Sequence, residues 1–175
     1  MRITCSILLI SLTSIVTVLQ VGAAPPVRIK SNGNNTERQH DYQEAASALK
    51  SQNFLLSLYS FVDKTGNMTE LEPEGNFILV NKDKFLMQKS IKLIVDTFAG
   101  SDNFKGDFLD YRFKVSRNGN IQFSFTMTDG KKRLLFKGKM NGGDHTIIGT
   151  LKGKVETHDI IVSGNIQPVQ SHFVY

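Results

Sequence analysis

Between residues 106 and 167, apolar side chains fall on every second position in five runs, and turn-forming pairs separate the runs. Leu109, Tyr111, Phe113 and Val115 alternate with Asp110, Arg112, Lys114 and Ser116. Ile121, Phe123, Phe125 and Met127 follow Asn118-Gly119, and Leu134 and Phe136 follow Asp129-Gly130. A period of two is the strand repeat, so the pattern predicts an antiparallel meander with one apolar and one wet face.

Turn chemistry selects the registers. A two-residue loop at Asn118-Gly119 would set Val115 against Gln122, apolar against polar. A three-residue loop, Arg117-Asn118-Gly119, pairs Val115 with Ile121, Phe113 with Phe123 and Tyr111 with Phe125. This predicts a type I turn with Gly119 left-handed and an adjoining bulge. A primed two-residue turn at Asp129-Gly130 pairs Phe125 with Leu134 and Phe123 with Phe136. A two-residue loop at Gly143-Asp144 pairs Met140 with Ile147, Phe136 with Leu151 and Gly138 with Gly149. A one-residue slip would turn these side chains into water, so the registers constrain one another.

Upstream, Thr36 with Gln39 three positions on matches a capping box, and Tyr42, Ala45, Ala46 and Leu49 share one face at helical spacing. Asn53 is the expected stop. An alanine-rich stripe suits close docking on a sheet or across a barrel mouth. Phe54 to Val62 reads as a strand and Asp63 to Gly75 as a loop. Asn76 to Val80 and Lys84 to Gln88 read as a hairpin, with Phe77, Leu79, Phe85 and Met87 as its larger apolar residues. Ile91, Leu93 and Val95 predict a further strand, Gly100 to Lys105 a loop, and Val155 to Asp159 a last turn into Ile160 to Ile166. Pro168 ends the regular structure, and residues 169–175 form a tail containing Phe173 and Tyr175. The expected fold is mainly β: an N-terminal helix, then about eight antiparallel meander strands in a calycin-like (lipocalin-like) barrel or a strongly curved sheet. Gly138 and Gly149, with Gly153 and Gly164, lie on the apolar face. They mark a sharp bend, close approach of the helix, or floor space for a ligand.

The N-terminus adds a destination. Arg2, the apolar stretch Ile7 to Val21 and the small residues Val21-Gly22-Ala23 form a secretory signal pattern with cleavage expected after Ala23. The apolar run is short of the roughly 20 residues a span needs, so no transmembrane segment is expected after cleavage. Residues 24–35 read as a flexible linker, and 36–168 as a single β-rich domain. Cys5, the only cysteine, lies near the start of the signal rather than after its small residues, which argues against a lipid anchor. The mature chain then has neither disulfide nor thiolate chemistry. These features predict a periplasmic, secreted or cell-surface protein.

The formal net charge is +5. Lys114, Lys137, Lys139, Lys152 and Lys154 are spread along the strands without exposed aromatics between them. That describes a solvated face that discourages edge pairing, with weak attraction to anionic surfaces, rather than a nucleic-acid site. His40, His145, His158 and His172 show no metal-ligand spacing. Asp144-His145 and His158-Asp159 are turn neighbours, and Asp63, Glu70, Glu72 and Glu74 form an acidic loop without an EF-hand pattern. No phosphate-cradling loop or nucleophile elbow occurs, so neither catalytic residues nor a cofactor are expected. Asn34-Asn35-Thr36 and Asn67-Met68-Thr69 match N-glycosylation sequons, meaningful in a eukaryotic source.

The segments Ala48-Leu49 through Asn53-Phe54, Asn76-Phe77-Ile78, the Gly106 to Met127 hairpin around Asn118-Gly119-Asn120, and Ile161-Val162-Ser163-Gly164 carry a resemblance. Over residues 41–168 the chain resembles exported Bacteroidetes proteins grouped as domain of unknown function 4251. The resemblance implies a periplasmic or surface β-rich domain and brings no catalytic residues. Two roles follow. One is a barrel holding a small apolar ligand in a cavity lined by Phe113, Phe123, Phe125, Phe136, Gly138 and Gly149. The other is an envelope interaction protein that recognises a protein or glycan through an exposed aromatic patch drawn from Tyr59, Phe108, Phe173 or Tyr175.

Overall fold

A computed structural model describes residues 33–63, 65–72, 75–88, 104–153 and 159–169. Helix α1 (Gly33–Ser51) precedes strands β1 (Asn53–Val62), β2 (Met68–Glu70), β3 (Phe77–Asn81), β4 (Lys84–Met87), β5 (Phe104–Val115), β6 (Ile121–Thr128), β7 (Arg133–Met140), β8 (Thr146–Gly153) and β9 (Ile160–Pro168). Neighbours pair antiparallel in the order β2-β1-β3-β4-β5-β6-β7-β8-β9, and β1 also pairs with β9. That last pairing closes β1 and β3–β9 into an eight-stranded barrel, the closed form of the expected architecture. Closure joins the two ends of the β1, β3–β9 circuit and so removes the barrel's open edges, with β2 paired to β1 alone.

β2 is the strand that periodicity does not signal. It falls inside the expected 63–75 loop, and all three of its residues are exposed. It continues the line of β3 along β1: Ser57 pairs with Phe77, whereas Ser60 pairs with Glu70. The expected strand over Ile91–Val95 and the turn residues Val155–His158 lie outside the described residues, and the expected loop 100–105 ends early because β5 begins at Phe104.

The β5–β6 turn forms as the sequence predicts. Gly119 sits at φ 80°, where glycine carries no Cβ penalty. Val115 pairs with Ile121 and Phe113 with Phe123. Further along, Asp110 and Tyr111 together oppose Phe125, because Leu109 pairs with Thr126 and Arg112 with Ser124. Asp110 takes the extra place at φ 55°; aspartate is among the few side chains that tolerate the left-handed region. The bulge reverses the strand's phase. Phe108, four per cent exposed, turns inward, and Leu109, 45% exposed, turns out, contrary to the simple alternation.

β6–β7 departs by one rung from the expected register. Thr128 pairs with Arg133, Phe125 with Phe136 and Phe123 with Gly138. The loop is Asp129 to Lys132 because the Asp129 carboxylate accepts the amides of Lys131 and Lys132, at 2.9 and 2.7 Å. A shift by one rung keeps every side chain on its face. β7–β8 has the expected pairs, Met140 with Ile147, Gly138 with Gly149 and Phe136 with Leu151. Its turn is centred one residue early, with Gly143 at φ 83° and the Asp144 amide donating to the Asn141 carbonyl.

α1 begins at Gly33, so it absorbs three residues of the expected linker and places Thr36 inside the helix rather than at its cap. It ends where Gln52 turns left-handed (φ 56°), one residue before Asn53 opens β1. Ala45, Ala48 and Leu49 are buried against the core, and Tyr42 and Ala46 pack at its border. Small side chains let the helix axis come close to the strand ends. Leu49 supplies the bulk of the apolar area, worth about 1.5–3 kcal/mol when fully buried.

The late-strand glycines answer to neighbouring groups, not to the helix. A Cβ on Gly138 would lie 2.5 Å from Phe123 Cζ, and one on Gly149 would lie 2.5 Å from Phe136 Cζ. Aromatic rings from adjacent strands therefore occupy the space that side chains there would take. At Gly164 a Cβ would meet the Ser57 backbone oxygen at 2.2 Å, across the closing β1–β9 seam. Backbone cannot rotate away as a side chain can. Gly164→Ala is therefore expected to cost about 1–3 kcal/mol by overpacking, read as a lower midpoint in equilibrium urea unfolding. An unchanged midpoint would contradict the tight seam.

Candidate functional site

The barrel interior is built from one inward row per strand. β1 and β6 stand on opposite walls, four places apart in the eight-strand circuit. Phe54 of β1 meets Phe123 and Phe125 of β6 across the lumen, with ring centroids 6.4 and 6.0 Å apart. Phe125 also contacts Phe108 and Phe136, each at 4.9 Å. Each such pair adds about 0.5–1.5 kcal/mol beyond area burial. Of the six residues expected to line a cavity, Phe125 and Phe136 lie wholly in this ring cluster and are fully buried. Phe123 belongs to it as well, its ring sitting over Gly138. Phe113 is half-buried and stacks beside Tyr111.

The helix is tied to the barrel by two tyrosines. Tyr42 donates its hydroxyl to the Gly119 carbonyl in the β5–β6 turn at 2.6 Å. Tyr111 donates to the Leu49 carbonyl near the helix C-terminus at 2.8 Å. Burial pushes the Tyr111 hydroxyl's pKa upward, so it remains a donor throughout the physiological range. Beside this seam, His145 Nδ1 lies 3.7 Å from Asp41 and 3.8 Å from Asp144, and His40 Nε2 lies 3.6 Å from Glu44. The fold thus brings His145 to a helix carboxylate that sequence proximity does not suggest. Among the described residues no group of three or more His, Cys, Asp or Glu is placed to hold a metal ion. His158 and His172 lie outside the described residues.

A different feature lies on the outer face. Strand registers set Arg112, Ser124, Lys137 and Thr150 on one rung and Lys114, Gln122, Lys139 and Ile148 on the next. These residues border an open concavity of about 490 Å3. Four of the residues expected to line an internal cavity (Phe113, Phe123, Gly138 and Gly149) border it too, from the same strands. Its cations flank β6: Arg112 and Lys114 on β5, Lys137 and Lys139 on β7. No aspartate or glutamate lines it. Three cations elsewhere on the barrel are neutralised, Lys84 by Asp107 at 2.6 Å, Arg133 by Asp110 at 2.5 Å and Lys152 by Asp159 at 3.3 Å. Among the described residues none of the four cations in the concavity has an ion-pair partner.

The expected aromatic patch is reduced to Tyr59, 39% exposed at a bulge in β1. Phe108 is buried by the β5 bulge, and Phe173 and Tyr175 lie outside the described residues. Ile148 and Ile161, 62% and 43% exposed on adjacent strands, are apolar surface that the strand pattern did not single out. The acidic loop organises itself. Asp63 accepts from the Thr65 hydroxyl and amide and from the Asn67 amide, at 2.6, 2.8 and 3.0 Å. Asn67, of the second sequon, donates its side-chain amide to Thr65 Oγ1 at 2.7 Å in that exposed turn. Among the described residues no helix is long and apolar enough to cross a membrane.

No protein-family model matches the chain, and no curated protein does. Among solved structures, the chain is similar to a DUF4251 family protein from Bacteroides eggerthii. The two share 21% identity with a TM-score of 0.64, over 77% of this chain and 91% of that one. The resemblance read from the sequence is thereby borne out at the level of fold.

Hydrogen bonds to carboxylates give the structure a pH signature. The Thr65 hydroxyl foremost, then the Asn67 amide, holds Asp63 below the usual carboxylate value of 3.8. The Lys132 and Lys131 amides do the same for Asp129. At Asp144 burial pulls upward, but bonds from Thr146 and the neighbouring amide outweigh it. Groups with depressed folded-state values stabilise the fold above the ordinary value and lose that contribution as pH falls through the lowered one. Asp129→Ala is expected to melt below wild type at pH 7, with the gap closing as the pH falls below 3.8. A pH-independent gap would contradict this origin. Tyr111→Phe, which leaves the Leu49 carbonyl with the Gln52 amide alone, is expected to cost about 1 kcal/mol in chemical unfolding; no change would show that the helix tether is idle.

Proposed function

We propose that this protein is an exported, non-enzymatic binding barrel whose partner, a protein or a glycan, docks on the outside of the sheet. One observation carries the reading. A barrel of about eight strands is just wide enough either to be filled by its own side chains or to hold one small ligand. Here Phe54 reaches Phe123 and Phe125 across the lumen, so side chains use that space. The outer face meanwhile carries features that a solvated wall does not need: unpaired cations around a concavity, and the exposed Ile148 and Ile161. The N-terminal signal pattern supports export, and a partner in the envelope or the surroundings agrees with it.

The test uses the full chain expressed in its own host. Native mass spectrometry is expected to return the polypeptide without a stoichiometric apolar adduct. Binding on protein and glycan arrays is expected to survive Phe125→Leu, a lumen change, within about a factor of two, equivalent to about 0.4 kcal/mol. A co-purifying apolar molecule that is lost in Phe125→Leu would overturn the reading in favour of a lumen site.

A further inference from the structure

Resting on that outer-face reading, we infer that the concavity over β6 is a binding channel for a linear acidic polysaccharide carrying carboxylate or sulfate groups. The sequence scatters the relevant cations over nearly thirty positions, but the registers gather them. Arg112 and Lys137 share one rung and Lys114 and Lys139 the next, with β6 running between each pair. Neighbouring strands lie about 4.8 Å apart and a two-residue step along a strand is about 6.8 Å. The cations therefore form two walls roughly 10 Å apart, each two residues long, beside an uncharged floor of Ser124 and Gln122. That is the width of one extended polymer chain.

Charge complementarity identifies the polymer's sign. Three cations elsewhere on the described surface are matched with carboxylates, Lys84 with Asp107, Arg133 with Asp110 and Lys152 with Asp159, whereas isolated ones such as Lys50 and Lys105 are not matched among the described residues. The channel differs in gathering four cations on one lining with no acidic residue among them. Like charges set on neighbouring rungs repel when nothing lies between them. An anionic chain relieves that repulsion.

Four features favour a sugar polymer among polyanions. The floor offers hydroxyl and amide groups from Ser124 and Gln122, and Thr150 on β8, beside Lys137, adds a further hydroxyl; these donate to and accept from ring hydroxyls. Ile148, 62% exposed, gives the C–H face of a pyranose an apolar contact at the channel's β8 side. Single-stranded nucleic acid gains its affinity from exposed aromatic platforms, whereas the two rings that border this concavity turn inward, Phe123 buried and Phe113 half-buried. A planar lipid headgroup layer would rest on projecting residues, whereas these cations border a concavity.

The experiment compares wild type, Lys137→Glu/Lys139→Glu and the control Lys50→Glu/Lys105→Glu, which makes the same charge change outside the channel. Isothermal titration uses polyuronate and dextran sulfate oligomers, neutral dextran, oligothymidylate and phosphatidylglycerol vesicles. Wild type is expected to bind an acidic oligosaccharide and not dextran, with affinity falling as salt rises. The channel variant is expected to lose at least about tenfold and the control at most about twofold, the gap between a lost contact and a changed net charge. Lys137→Gln/Lys139→Gln, with folding checked by circular dichroism, should show the same loss in a milder form. Equal losses in channel and control variants would overturn the inference, as would tighter binding to oligothymidylate or vesicles, or no binding to either acidic polymer. A protein partner mapped to another part of the outer face would sink this inference and leave the outer-face reading standing. An apolar lumen ligand would sink both.

Discussion

The pairing of β1 with β9 is the constraint on which the rest of the structure depends. It joins strands separated by about a hundred residues and converts a curved meander into a closed barrel. Closure brings Phe54 to the wall opposite β6, and the resulting ring contacts fill the space between. It also makes the inner and outer faces chemically exclusive. The strands present apolar residues to the inside and polar ones to the outside. The seam is close enough that Gly164 has no room for a methyl group beside the Ser57 carbonyl.

The two bulges show how closure is reconciled with strand geometry. A barrel wall must coil more than a flat ladder allows, and an extra residue bends a strand and increases its twist. β5 takes its extra residue at Asp110 and β1 at Tyr59. Each leaves a polar or amphipathic side chain at the surface, where it is tolerated. The Asp110 bulge has the larger consequence, since it sends Phe108 into the ring cluster and Leu109 into water.

Much of this was legible in the chain because strand alternation is a short-range signal. Val115 to Ile121 and Met140 to Ile147 pair as turn chemistry dictates, since a single glycine or asparagine sets each closure. The β6–β7 register was off by one rung because the Asp129 side chain caps a longer loop, a choice that apolar parity does not report. Phe108 was misassigned because a left-handed aspartate is locally silent. β2 was missed because three exposed residues carry no alternation. The outer concavity was the least legible feature. Lysines read one at a time along a strand look like solvated decoration; only registers across β5, β6 and β7 show that Arg112, Lys114, Lys137 and Lys139 share one surface without a counter-charge. The glycines were visible, but their role depends on which ring lies above them.

The inner and outer faces make opposite claims on any ligand, and one measurement separates them directly. Amide and aromatic NMR shifts can be followed in a single titration of the full chain with a polyuronate oligosaccharide. The account predicts saturable shifts at Gln122, Ser124, Lys137 and Lys139, with the ring resonances of Phe54, Phe125 and Phe136 unmoved. Shifts concentrated in those rings, with the outer strand positions silent, would contradict it.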